Sequence, residues 1–457
     1  MSNPDLISSK ESKFIRFTIN DTDISGAVAI ANYYESILAS FVTMQVSLID
    51  SGAGIINGKQ TNILSGLPIR GGEKVDIILE DSSGQKLKHI LYTNTVESGD
   101  VTTQKVSFDM QLVSKEFLSN EQTRCVKRYD GKISESIKKI LKDPNIFGLK
   151  ESDFDIEDTE NVYNFIGNDR KPLWVLDWLS SKSIPEGKSG SCAGYFFYQT
   201  TEGYKYKSVD KLLEQPVKAK FRHTNTPPEK TKENPDKSIG RILQYSINQN
   251  INVQNKMQMG TYNTRILYFD PYTFKVDAII NSVQEVGKQA AERSADSDQP
   301  QVSTASPQTK KANTAGKKLD FIDQQFLNPD KPCRLMCVVK DNGNLPSGTN
   351  AEKQLESWKS QPTTMNDKKD LTLYQSISRF NQLFSNQISI TVPGDFTLHA
   401  GDMIYCEFAN PSSNNTQENQ INSELSGNYL ISEVNQKVDR KYHYTYLNLV
   451  RDSVGKK

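Results

Sequence analysis

Two stretches of thirteen residues, one early and one late, can be superimposed without a gap. Leu67-Pro-Ile-Arg-Gly-Gly-Glu-Lys-Val-Asp-Ile-Ile-Leu79 lies on Phe396-Thr-Leu-His-Ala-Gly-Asp-Met-Ile-Tyr-Cys-Glu-Phe408. Leu67 and Ile69 fall on Phe396 and Leu398, the turn Gly71-Gly72-Glu73 on Ala400-Gly401-Asp402, and Val75 on Ile404. Further on, Met110-Gln-Leu-Val-Ser114 matches Leu447-Asn-Leu-Val-Arg451, which pairs Leu112 with Leu449. Unrelated strand–turn–strand units share such features. The shared order of elements is therefore what carries the expectation: two copies of one small antiparallel β-barrel in a single chain.

The surrounding pattern agrees. Phe14–Ile19, Val42–Ile49 and Lys105–Val113 alternate apolar and polar residues, as do Ile388–Val392, Met403–Phe408, Tyr429–Val434 and Tyr442–Val450. A period of two places one face of each strand inward. At 457 residues the chain has room for about three domains. With 36% hydrophobic and 24% charged residues it reads as globular, not collagenous or coiled-coil. Fifty-five basic residues balance fifty-five acidic ones, so net charge gives no reason to expect a polyanion partner. No segment reaches the roughly 20 apolar residues that span a bilayer. The polar start, Met1 to Lys10, lacks the apolar region of an export signal. Five cysteines, an odd number, argue for free thiols and a protein made and assembled in the cytosol.

Catalytic signatures are missing. His89, His223, His399 and His443 form neither HExxH nor a zinc-finger spacing. Cys333 and Cys337 are too widely spaced for a redox pair and read as small hydrophobes on one face of a strand. Gly52-Ala-Gly-Ile-Ile-Asn-Gly58 has the wrong spacing for a phosphate loop and reads as a hairpin or loop. The carboxylates Glu151, Asp153, Asp155, Glu157 and Asp158 lie in a turn-rich stretch and read as a solvated acidic face. No GxSxG elbow occurs. Neither metal nor cofactor is expected.

Between the repeats the pattern changes. Ile133, Ile137, Ile140 and Leu141 share one helical face, ended by Pro144. Pro172–Leu179 predicts a second helix, with Trp174 and Trp178 four apart on a core-facing stripe. Gly194 to Ser208 predicts an aromatic hairpin around Thr-Thr-Glu-Gly, with Tyr195, Phe196, Tyr198, Tyr204 and Tyr206 in the core. Residues 284–318 carry almost no aromatics and are expected to be mobile or ordered by a partner.

Val392 to Asp402, Leu425 to Val434 and Tyr444 to Asp452 give a strand, a Gly-Asp turn, a Ser-Gly-x-Tyr-x-Ile unit and a final strand ending in Arg. In this order they resemble the closing barrel of central hub proteins from contractile-tailed, T-even-like bacteriophage baseplates, related to the hub part of type VI secretion spikes. The resemblance implies a mainly β chain with α+β insertions. Its first tube-like barrel would span 11–120, and a mixed α/β domain 121–238. The second barrel would use 239–276 and 374–453, interrupted by an insertion at 277–373.

The residues carrying the signature would be structural: Leu67, Ile69, Gly72, Val75, Leu112, Leu398, Gly401, Asp402, Ile404, Ser426, Gly427, Tyr429, Ile431, Leu447, Leu449 and Arg451. The implied role is a homotrimeric adaptor in the virion tail. It would join a three-fold central spike to the first tail-tube ring or a tube-initiator protein, beside baseplate wedge proteins. A lumen would be left for the tape measure protein and for DNA that passes without specific binding. Two rival readings are a tail-associated peptidoglycan hydrolase and a glycan-binding tail protein using the aromatic hairpin.

Overall fold

The computed structural model describes residues 12–52, 55–56, 59–60, 63–67, 69–81, 83–101, 105–186, 193–223, 239–248, 253–260, 263–270, 274–282, 331–339, 373–384, 386–409, 422 and 425–451. It is mainly β. The alternating stretches become β1 (Ser12–Ile19), β2 (Val28–Ser36), β3 (Thr43–Asp50), β4 (Lys74–Asp81), β5 (Lys86–Val101) and β6 (Val106–Val113). In β3, Met44, Val46 and Leu48 point inward and are fully buried, while Gln45, Ser47 and Ile49 do not. Each such side chain contributes about 1.5–3 kcal/mol by leaving water.

The middle segment holds α1 (Ile133–Lys142), α2 (Pro172–Ser180) and the hairpin β7 (Tyr195–Thr200) and β8 (Gly203–Ser208). Ile133, Ile137, Ile140 and Leu141 of α1 are buried, and the hairpin turns between Thr200 and Gly203. All five aromatic residues of the expected hairpin core are buried. Trp174 corrects the expected core stripe: it is 49% exposed, stacked on Trp178 at 6.1 Å with Arg170 above it. Its indole lies along the outside of the helix because Trp178 alone reaches Tyr163 and Phe165.

After the hairpin come β9 (Ala219–Arg222), β10 (Gln244–Asn248), β11 (Asn386–Pro393), β12 (Met403–Glu407), β13 (Gly427–Asp439) and β14 (His443–Arg451). Strand β9 lies in the stretch that the sequence reading gave to the inserted domain, yet it pairs with β12 of the second repeat. Between β10 and β11 a separate three-stranded sheet forms from Asn263–Asp270, Lys275–Ser282 and Arg334–Val339. There Cys337 is exposed, which corrects its reading as core: the two cysteines do not share a buried face. Residues 283–330, including the whole of the stretch 284–318 expected to be mobile, lie outside the described residues. Within the glycine run, Ile55–Ile56 pairs with Lys59–Gln60 as a short hairpin.

The first repeat is ordered β1-β4-β5-β6-β3-β2 and the second β9-β12-β13-β14-β11-β10. Counterpart strands stand in the same places. One direction differs: β1 runs antiparallel to β4, whereas β9 runs parallel to β12, since the chain reaches β9 from the inserted domain. Among the described residues the ladders do not close either repeat into a barrel. They join both into one fourteen-stranded sheet.

Candidate functional site: the seam between the repeats

The register is duplicated as well as the order. In the first repeat Tyr92 pairs with Val113 and Thr93 with Leu112, after which Asn94 is skipped and Thr95 meets Gln111. In the second Leu430 pairs with Val450 and Ile431 with Leu449, Ser432 is skipped, and Glu433 meets Asn448. The same extra residue bends the same strand at the same place, and such bulges are built features of a fold. The other ladders agree. Val75 opposes Leu91 as Ile404 opposes Tyr429, Met44 opposes Leu112 as Ile388 opposes Leu449, and Tyr33 opposes Met44 as Ile247 opposes Ile388.

The turn is duplicated too. Gly72 N–H donates to the Thr93 carbonyl at 2.7 Å, and Thr93 N–H to that of Glu73 at 3.0 Å. Gly401 N–H donates to the Ile431 carbonyl at 2.8 Å, and Ile431 N–H to that of Asp402 at 2.9 Å. The carboxylate of Glu73 accepts the Arg70 N–H at 2.6 Å, and that of Asp402 accepts the His399 N–H at 2.8 Å. Gly72 and Gly401 have φ of 85° and 90°, where a side chain is strained. An acidic residue after a left-handed glycine satisfies N–H groups that a tight turn would otherwise orphan.

The remaining sequence-selected residues lie in the cores of the two repeats or in contact with them. Leu67, Val75 and Leu112, with the half-buried Ile69, pack in the core of the first repeat. Leu398, Ile404, Tyr429, Ile431, Leu447 and Leu449 pack in that of the second. Arg451 is buried, with its guanidinium 4.5 Å from the Tyr429 ring centre and Nη1 donating to the Ser426 carbonyl at 3.3 Å. Ser426 Oγ accepts the Phe408 N–H at 2.9 Å. A Cβ on Gly427 would lie 3.0 Å from Arg451 Nη1, so the bare glycine leaves room for the guanidinium.

The two repeats meet edge to edge. Residues 427–430 of β13 pair with β12. Beyond the bulge, the same edge pairs antiparallel with β2, from Glu433 opposite Ser36 to Asp439 opposite Ile30. Val438 and Phe396 of the second repeat enter the core of the first.

Glu35 of β2 sits at the end of this seam, 2% exposed. Its carboxylate accepts Tyr33 O–H at 3.0 Å from the first repeat and Thr201 N–H at 3.0 Å from the inserted hairpin. From the second repeat it accepts Ala400 N–H at 3.0 Å and faces His399 Nδ1 at 3.2 Å. Burial pushes the carboxyl up, but the charge and hydrogen bond of His399 and the N–H groups of Ala400 and Thr201 outweigh it, leaving Glu35 below the ordinary value. Burial pushes His399 down, and Glu35 reverses this, leaving the imidazole above its ordinary value. His89, also buried, is pushed down to about 4. Sequence reading missed Glu35. The available signal was a carboxylate two residues from Tyr33, on the same inward phase of an apolar strand.

The carboxylates read from sequence as a solvated acidic face lie together at 151–158 of the inserted domain. Glu151 faces Lys142, Asp155 faces Lys207 and Asp158 faces Lys138, all as partly exposed ion pairs, while Glu157 accepts from Ser208. Among the described residues no three His, Cys, Asp or Glu side chains are grouped to hold a metal ion, and no helix is long and apolar enough to cross a membrane.

Neither a protein-family model nor a curated protein matches the chain. Among solved structures it is similar to the 43 kDa tail protein of prophage MuSo2 from Shewanella oneidensis, at 9% identity and a TM-score of 0.49, covering 96% of this chain and 98% of that one. It is similar to a tail protein from Neisseria meningitidis at 7% identity and a TM-score of 0.49, covering 97% of each chain. An E. coli type VI secretion component gives 8% identity and a TM-score of 0.39, covering 98% of this chain and 79% of that one.

Proposed function

We propose that the chain is a structural subunit of a phage-type contractile tail, the baseplate hub that adapts a three-fold spike to a six-fold tube. One observation carries this reading: two modules of identical strand order, bulge and turn stand side by side, joined through backbone. A chain that presents the same module twice lets three copies offer six equivalent positions. A two-fold dimer would have no use for the duplication. Each module then acts as a tube-like barrel unit, and the inserted domain braces the pair through Glu35. Three chains would enclose a lumen for the tape measure and DNA. The central spike would lie on one side, the first tube ring on the other, and wedge proteins outside.

The signature residues serve this role as framework. Gly72 and Gly401 shape the turns, Arg451 closes the last strand on Tyr429, and the paired leucines Leu112 and Leu449 fill the two cores. The aromatic hairpin offers no stacking platform for a sugar, because Tyr204 and Tyr206 are buried. Native mass spectrometry across a concentration range tests the reading. It predicts a particle of three chains, each of 51.5 kDa. A stable two-fold dimer contradicts it.

A further inference from the structure

The seam inside the chain uses two edges, and each has a counterpart left open. In the second repeat, the edge of β13 beyond the bulge is covered by β2. In the first, β5 pairs with β4 only as far as Tyr92. Beyond its bulge β5 continues against β6, and among the described residues no strand pairs with its other edge. The counterpart of β2 is β10, which pairs with β11 on one edge and with no other described strand.

We propose that these two open edges are the two halves of an interface between copies of this chain. Residues 95–98 of one copy then pair antiparallel with β10 of the next, repeating between chains the ladder that β13 and β2 make within one. The proposal rests on the three-copy reading above and specifies its contact. The register transfers directly. Asn435 opposes Tyr34 and Gln436 opposes Tyr33 in the internal seam. Their counterparts are Glu97 and Asn248, and Ser98 and Ile247, as fixed by the matching ladders. Glu97 therefore faces Asn248, and Ser98 faces Ile247. A second register shift of β5, between Ser98 and Val101, limits the equivalence to this stretch.

Three observations favour a second copy as the occupant. Ile247 is 39% exposed where its counterpart Tyr33 is 1% exposed, as expected of a position still awaiting its cover. Ala400 is buried with its N–H on Glu35 of β2, whereas its counterpart Gly71 is exposed. Gln244-Tyr-Ser-Ile-Asn248 carries neither the charge nor the proline that commonly guards a free edge. The contact is head-to-tail, so it closes into a ring when the rotation allows. Three chains then have six seams, three within and three between.

Two double variants test it: Glu97→Cys with Asn248→Cys, and Ser98→Cys with Ile247→Cys. Opposed residues in an antiparallel ladder have Cα atoms about 4.5–5.5 Å apart, within disulfide reach. Mild oxidation should yield covalent two- and three-chain species that reductant returns to single chains, while each single variant yields none beyond the unsubstituted protein. On the unsubstituted protein, hydrogen exchange at residues 95–98 and 244–248 should slow at least about tenfold on assembly, since backbone pairing protects amides. This measurement stands even where a variant fails to fold. A three-chain particle with no cross-link and unchanged exchange overturns the seam and leaves the three-copy reading intact. A two-fold dimer overturns both.

Discussion

The two repeats share a backbone plan and differ in what touches it. Both carry the bulge after Thr93 or Ile431 and the same turn hydrogen bonds. A methyl group on Gly72 would meet nothing within 4 Å, whereas one on Gly401 would lie 2.2 Å from the Tyr198 hydroxyl. Ser114 ends the first repeat where Arg451 ends the second over Tyr429. Backbone pairing is thus duplicated, while side chains are fitted to different neighbours: solvent for one turn, the inserted domain and Glu35 for the other.

The comparison predicts unequal costs at equivalent positions. Replacing Glu35 with Ala removes the acceptor shared by three segments and leaves buried donors without a partner. We expect a loss of about 3–5 kcal/mol, as for a broken buried charge pair, read by chemical denaturation. Leu112→Ala and Leu449→Ala should each cost about 2–5 kcal/mol, and similar losses would confirm that both leucines hold the same place in their cores. A large disparity would break the equivalence.

Gly72→Ala should cost about 1–2 kcal/mol for its left-handed backbone. Gly401→Ala should cost a further 1–3 kcal/mol, roughly, for crowding against Tyr198, and equal melting shifts would refute the difference in packing. The smallest effect concerns pH. Glu35 lies low, so its contribution is complete above the ordinary carboxylate value and fades as pH falls through its lowered value. His399 lies high, so its contribution is complete below the ordinary imidazole value and fades as pH rises through its raised value. The contribution of this pair should therefore be complete between about pH 4.3 and 6.5, read as the difference in melting temperature between the protein and its His399→Gln variant. His399→Gln should remove the decline on the alkaline side that this pair causes.

Much of this plan was legible in the sequence. The alternation of Met44, Val46 and Leu48 and the gapless match of Leu67–Leu79 on Phe396–Phe408 announce both repeats, because strand period and turn chemistry are local. Strand β9 was not legible as part of the second repeat. Ala-Lys-Phe-Arg is a weak pattern, and its parallel pairing with β12 is long-range. Glu35 escaped for a related reason. Its partners Thr201 and His399 are 166 and 364 residues away, and no local pattern marks such a meeting. Trp174 misled because helical spacing gives a face but not which part of that face the neighbours cover.

The central claim is that one chain supplies two equivalent positions in a ring. Electron microscopy of the assembled particle, viewed along its axis, tests it most directly. Six evenly spaced β-rich lobes built by three chains, with the inserted domains repeating three times, is the predicted image. Three lobes, or a two-fold particle in which the repeats are not side by side around one axis, would contradict it.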